Sequence, residues 1–256
     1  MNWKTFFALL SRDGHVARRN LAPTLLQNLL QPLLFTFVFG KVMTGSGMMP
    51  EAYKNMLLPG VIAISMVMAG VQAVAMPLIT EFQFTREIED RLLAPIEIGW
   101  LAVAKIAAGM IQAMAAGLVV IPAAWLIMGS GVKLDFSHPL EFLLVTLLVA
   151  GFSAAGGLAL GCSVGQTQIG LMFSLVLAPM MMFGCAYYPW SALESFPVLH
   201  LAVLVNPLVY ASEGLRGSLV PNVPHMNTTV VIGALAAIDL ALLFLGLKKF
   251  RQKAVS

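Results

Sequence analysis

Long stretches without a single charged residue are the feature that most restricts what this chain can fold into. They run from Asn20 to Gly40, Asn55 to Thr80, Ile106 to Val132 and Phe142 to Leu193, and a further apolar run spans Val230 to Leu247. About 20 helical residues cross the roughly 30 Å hydrocarbon core of a bilayer, so each tract suffices for at least one span. Only 11% of the residues are charged and 59% are hydrophobic, with a mean hydropathy of +0.87. Soluble domains carry about 25% charged residues. The ten-residue alternating segments of a membrane β-barrel are not visible.

The tract from Phe142 to Leu193 is too long for one helix, and "SVGQTQIG" (163 to 170) supplies a polar turn within it. Six helices are therefore expected, at about 22–41, 57–79, 101–128, 140–161, 169–188 and 229–247, in an all-α membrane protein with one transmembrane domain over 1–256. With both termini inside, the inner side holds Lys4, Arg12, Arg18, Arg19, Arg86, Arg91, Lys105, Lys248, Lys249, Arg251 and Lys253, while the outer side holds Lys41, Lys54, Lys133 and Arg216. Positive residues concentrate on the cytoplasmic side, so this asymmetry sets the expected orientation. The net charge of +3 then reports topology and contact with anionic lipid. No basic stripe interleaved with aromatics points to nucleic acid.

Three segments are not expected to span. Residues 1–20, "NWKTFFALLSRDGHVARRN" after the first Met, place Trp3, Phe6, Phe7 and Leu10 at helical intervals ahead of basic residues. That pattern reads as an interfacial amphipathic helix or, alternatively, a disordered leader. No small-residue cleavage site follows, so the first span is expected to remain as an anchor. Residues 189–228 carry Pro189, Pro197, Pro207, Pro221 and Pro224, and their apolar piece "FPVLHLAVLV" is too short to cross. Reading it as a seventh span would move the C-terminal lysines outside and invert the charge asymmetry, so short re-entrant helices dipping into the outer leaflet are preferred. Tyr187, Tyr188 and Trp190 suit an interfacial aromatic belt.

The third is 81–98, which holds "TREIEDRLLAPI", where five of the seven residues from Thr85 to Arg91 are charged. A helix carrying them cannot enter lipid. It is either a solvated loop or a surface offering Phe84, Arg86, Glu87, Ile88, Glu89, Asp90, Arg91 and Leu92 to a soluble partner, ended by Ala94–Pro95.

Three motifs in this order resemble the ABC-2 type transporter permeases, the membrane subunits of ABC exporters. The segment from Glu81 through "REIEDRLLAPI" is similar to the family's acidic stretch and Leu-Leu-x-Pro ending between the second and third spans, with Glu89 and Asp90 where a Gly-Thr pair is usual. "NPLVYASEGLRG", Asn206 to Gly217, resembles the Asn-Pro to Arg-Gly signature before the last span, and supplies Asn206, Pro207, Glu213, Arg216 and Gly217. "FGCAYYPWSALESFP", Phe183 to Pro197, is similar to the branch of nodulation-factor and daunorubicin-type exporters.

The resemblance implies that 81–98 is a coupling helix seated in a cleft of an ATP-binding subunit, with the N-terminal helix as a second contact. It implies two copies of this permease with two of the ATPase, in a bacterial inner membrane. It also implies a substrate path at the dimer interface lined by the first, second and fifth spans, which would put Met180, Met181, Phe183 and Tyr187 along it. No GxxxxGK[ST] occurs in the chain, and in "GKVMTGSG" the Lys precedes the glycines. ATP and Mg are therefore expected on the partner, with no cofactor or metal in this chain.

The remaining polar residues point to packing more than to chemistry. Asp239 falls mid-span, where an acid is costly unless neutralised or hydrogen-bonded. Glu213 and Arg216, three apart, are expected to pair. Gly157, Gly161 and Gly165 recur every fourth residue and would admit a neighbouring backbone, within the subunit rather than at a dimer seam. Cys162 and Cys185 fall at opposite membrane faces and are read as small packing residues. No nucleophile–base or paired-carboxylate arrangement suggests catalysis. An ion-gradient transporter would need several buried acids where only Asp239 is present, and a non-transporting scaffold is the third class considered. Cargo is expected to be amphipathic: a drug, a lipid or a lipid-linked oligosaccharide.

Overall fold

The computed structural model describes residues 29–82, 98–129 and 132–255. Among them every regular element is helical. We number the helices α1 Leu29–Gly45, α2 Tyr53–Thr80, α3 Ile98–Met128, α4 Pro139–Ser163, α5 Ile169–Met182, α6 Pro197–Val205, α7 Pro207–Leu219 and α8 Thr228–Val255. Four of these, α2, α3, α4 and α8, are long and apolar enough to cross a membrane. The α6–α7 pair passes the same test only as a unit bent by 96°, and α1 and α5 are shorter apolar helices. Of the expected six spans, four are clear and the rest are shorter or bent elements.

Local chemistry sets several helix starts. Proline opens α4, α6 and α7, where its missing N–H would have had no helical partner. Before α7, Asn206 acts as cap, its Oδ1 accepting from Leu208 N at 3.0 Å. Buried hydroxyls are satisfied along their own helix: Thr36 donates to Pro32 O at 2.8 Å and Ser65 to Val61 O at 2.8 Å.

Helix α2 is the centre, mostly enclosed by the chain itself, whereas α8 turns most of its surface outward. α3, α4 and α7 pack on α2, and α4 also holds α8. Small residues set the approach of α2 to α4. A Cβ on Gly157 would meet Val71 O at 2.7 Å, and one on Gly161 would meet Ala75 Cα at 2.9 Å. These glycines pack within the subunit as expected. Gly165 does not share the stripe, because α4 ends at Ser163.

α5 departs most from expectation, ending at Met182 rather than 188. At Gly184 a Cβ would collide with Leu208, and Cys185 takes a left-handed φ of 51°. The chain there turns in toward α2, where Gly60 leaves room for the Ala186 carbonyl. Both α1 and α5 contain a π-helical stretch, Thr36–Val42 and Phe173–Leu177. Such stretches are rare and concentrate at functional positions.

Candidate functional site: a capped cavity between α1, α2 and α5

Tyr53, Met128, Pro139 and Thr228 mark one end of the bundle, which is closed by α6, α7 and the segments around them. Its keystone is Glu213 with Arg216. Both lie one helical turn apart on α7, and they are 1% and 0% exposed. The Arg216 Nη1 donates to Glu213 Oε1, while Nη2 donates to Cys185 O at 2.9 Å and Nε reaches Met56 O at 3.5 Å. Glu213 Oε1 also accepts from Trp190 N at 2.8 Å, and Oε2 accepts from Met226 N at 2.8 Å. One ion pair therefore joins the start of α2, the turn after α5, α7 and the approach to α8.

Complete burial removes both side chains from reach of any cargo, and the full set of hydrogen bonds offsets the desolvation of the charges. Gly217 completes the motif by letting the His225 ring approach, since a Cβ there would stand 3.0 Å from Nδ1. Asn206 adds a further tie, its Nδ2 donating to Met180 O at 2.7 Å. Tyr53 donates to Tyr187 O at 2.7 Å, and the Trp190 indole donates to His200 O at 3.0 Å.

Beneath this cap lies a cavity of about 370 Å³ between α1, α2 and α5. Gln31, Phe35, Met68, Phe173, Met181 and Tyr187 are among its walls. Phe35 and Phe39 contact the Tyr187 ring at centroid distances of 5.0 and 5.9 Å. Methionine sulfurs beside aromatic rings make a polarizable, adaptable surface. Gln31 is exposed within an apolar helix, and Ser174 turns its hydroxyl to Gly170 O at 2.9 Å.

The four residues expected along a substrate path do not share one wall. Met181 and Tyr187 line this cavity, whereas Met180 and Phe183 line a separate apolar groove of about 460 Å³ against α6, which Asn206 and Pro207 also border. The split at Met180 and Met181 follows from helix geometry, because successive residues point about 100° apart. Neither Phe35, Phe39 nor Gln31 stood out in the sequence. Polar Gln31 inside a charge-free tract was the signal that could have found this cavity.

At the opposite end, a second buried ion pair joins Lys105 Nζ to Glu81 Oε1 at 2.6 Å. Sequence reasoning missed it. Its signal was position: Glu81 ends one charge-free tract and Lys105 immediately precedes another. The expected docking residues Phe84, Arg86, Glu87, Ile88, Glu89, Asp90, Arg91 and Leu92 lie outside the described residues, as does the amphipathic segment 1–20.

Asp239 sits midway along α8 with its carboxylate against the bare backbone of Gly151, where a Cβ would come within 2.9 Å of Oδ1. Cys162 and Cys185 are free, buried and at opposite ends of the bundle. Among the described residues, the loop carboxylate Asp135 binds protons less readily than usual. The Ser137 hydroxyl and then its amide, the latter at 2.9 Å, hold its pKa below the usual value.

Comparison with known proteins places this architecture. The chain is 25% identical over 242 residues to the inner membrane transport permease YadH of Escherichia coli K12, covering 90% of this chain and 89% of the relative. The Shigella flexneri protein of the same name matches equally, at 25% over the same coverage. The family model described as ABC-2 type transporter matches residues 4–220, a stretch that contains α1 to α7 and both ion pairs. Several apolar helices and an inner membrane permease relative make this a multi-pass inner membrane protein and a transporter's membrane subunit, and the chain belongs to the ABC-2 type transporter family.

Proposed function

We propose that this chain is the permease half of an ATP-driven exporter that moves an apolar or amphipathic molecule outward by alternating exposure of the cavity between α1, α2 and α5. The observation that carries the reading is the cavity itself: rings and thioethers make most of its wall, with Gln31 and Ser174 as the polar contribution. Apolar cargo enters such a wall at little desolvation cost, while a hydroxyl-dense sugar would leave most of its hydrogen bonds unmade. This favours a drug-like or lipid-like compound over a free oligosaccharide and accords with the branch of nodulation-factor and daunorubicin-type exporters.

The ATPase is a separate subunit, two copies with two permeases, docked on Phe84, Arg86, Glu87, Ile88, Glu89, Asp90, Arg91 and Leu92. Residues 1–20 form a flanking interfacial helix. Both termini and the Glu81–Lys105 end face the cytoplasm. The α6–α7 bend is then a re-entrant element in the outer leaflet, braced by Asn206, Pro207, Glu213, Arg216 and Gly217, and Asp239 is a structural acid on α8.

The test is purification of the full-length chain from native membranes, followed by an ATPase assay and reconstitution into vesicles. An ATP-hydrolysing partner should co-purify, and reversing Glu87, Glu89 and Asp90 to lysine should abolish its retention. Retention unchanged by the triple reversal refutes the docking surface. Substrate movement with no nucleotide hydrolysed refutes the exporter.

A further inference from the structure

Cations gather where α8 leaves the bundle. Lys248, Lys249, Arg251 and Lys253 fall within six residues, and no acid occurs from Leu240 to Ser256. The end of α4 and the turn after it, Gly161 to Gln168, lie alongside and carry no acid either. Glu81, a carboxylate at this end, is held by Lys105 on α3.

One of these lysines is held in place by a hydroxyl. Lys249 Nζ donates to Ser163 Oγ at 2.6 Å, and Ser163 donates to Ala159 O. With its own proton committed, Ser163 can only accept, so it orients Lys249 and leaves that ammonium two further protons to donate. Lys248 lies between Lys249 and Arg251 around the helix, because successive residues are about 100° apart. All three are exposed, and among the described residues no carboxylate pairs with any of them.

The surface leading to these cations is apolar. Leu240, Ala241, Phe244 and Leu245 are exposed on the face of α8 that ends at Lys248 and Arg251. A soluble anion would use the cations and leave this lane uncovered. A phospholipid uses both, its phosphate at the level where lysine and arginine heads emerge from the hydrocarbon and its chains along the lane.

We propose that the ends of α8 and α4 form a seat for one anionic phospholipid, its phosphate bound by Lys248, Lys249 and Arg251 and its acyl chains laid along Leu240, Phe244 and Leu245. Ser163 is a positioning residue that acts through Lys249. The net charge of +3 says only that anionic lipid is attracted; the arrangement says where a molecule of it is held. The seat shares no residue with the cavity between α1, α2 and α5 and needs neither ATPase nor cargo.

The experiment titrates the detergent-solubilised full-length chain with palmitoyl-oleoyl phosphatidylglycerol or the matching phosphatidylcholine and counts bound lipid by mass spectrometry of the intact protein. Phosphatidylglycerol should bind the more tightly. Lys248→Gln/Lys249→Gln/Arg251→Gln should weaken it about fivefold per charge removed, about a hundredfold in all, with phosphatidylcholine unaffected. Lys41→Gln/Lys133→Gln, at the other end of the bundle, should change nothing. Ser163→Ala should weaken phosphatidylglycerol binding when Lys249 is present and have no effect beside Lys249→Gln. Should the triple variant not accumulate, Lys248→Gln alone should cost about fivefold.

Equal affinity for the two lipids, or phosphatidylglycerol binding that survives the triple substitution, overturns the seat. A loss as large in the Lys41/Lys133 variant also overturns it, by showing attraction to total charge. Displacement of the lipid by glycerol phosphate in large excess overturns the lipid as occupant in favour of a soluble anion. None of these results bears on the exporter reading, since the preparation contains neither ATPase nor cargo.

Discussion

Replacing Arg216 by methionine should be the most damaging single substitution at the capped end of the bundle. Methionine fills much of the same volume but leaves the Glu213 carboxylate, 1% exposed, without its cation. Stranding one partner of a buried pair costs about 3–5 kcal/mol. The Cys185 carbonyl also loses its donor at 2.9 Å, which adds about 1 kcal/mol. The amides of Trp190 and Met226 still reach Glu213, each at 2.8 Å, and keep the loss toward the lower end. A net loss of about 4 kcal/mol corresponds to a fall of about 10 °C in Tm for a chain of this size. Thermal unfolding of the detergent-solubilised protein, followed by tryptophan emission, measures it, since Trp190 touches the network. The double variant Glu213→Gln/Arg216→Met removes the stranded charge and should recover about 1–2 kcal/mol, despite leaving one amide poorly paired. If Arg216→Met costs less than about 1 kcal/mol, or if adding Glu213→Gln lowers stability further, the buried pair is not the keystone described.

Gly157→Val and Gly161→Val should each destabilise the bundle by several kcal/mol, about 3 or more, because the added atoms meet the α2 backbone, whereas Gly233→Ala has open space and should be neutral or slightly stabilising; parallel denaturation curves compare them. Ser174→Trp should fill much of the cavity and lower transport about tenfold with little change in Tm, so transport that survives a folded Trp variant would exclude the cavity as the path. Asp135 binds protons less readily in the folded chain than when unfolded. Its stabilising contribution is therefore present above the ordinary carboxylate pKa and lost as pH falls through the lowered folded value. Ser137→Ala should raise that pKa in a titration followed by NMR and slightly lower stability above the ordinary carboxylate pKa, with the difference from wild type vanishing as pH falls below the folded value.

Part of the cap was legible in the sequence. Asn206 and Pro207 act within a few residues of themselves, one as cap and one at the first helical position, so their spacing suffices to announce a helix start. The spacing of Glu213 and Arg216 likewise foretold their pairing. It could not reveal their burial, because Cys185, Met56, Trp190 and Met226 all come from outside α7, Met56 from 160 residues away. The division of Met180 from Met181 was hidden too. In a helix surrounded by lipid and protein, both faces are apolar, and hydrophobic periodicity no longer says which residue meets a neighbour.

By itself, then, the sequence determined the all-helical membrane class, the places where crossing is possible and the helix starts, because apolar length and capping chemistry are properties of consecutive residues. Only the tertiary structure decided that α5 stops at Met182, that Gly157 and Gly161 face α2, that Glu81 meets Lys105 and that a cavity opens beside Tyr187. Each of these depends on surfaces brought together from distant parts of the chain. Their energies come from desolvation and close contact, which exist only once the helices have packed.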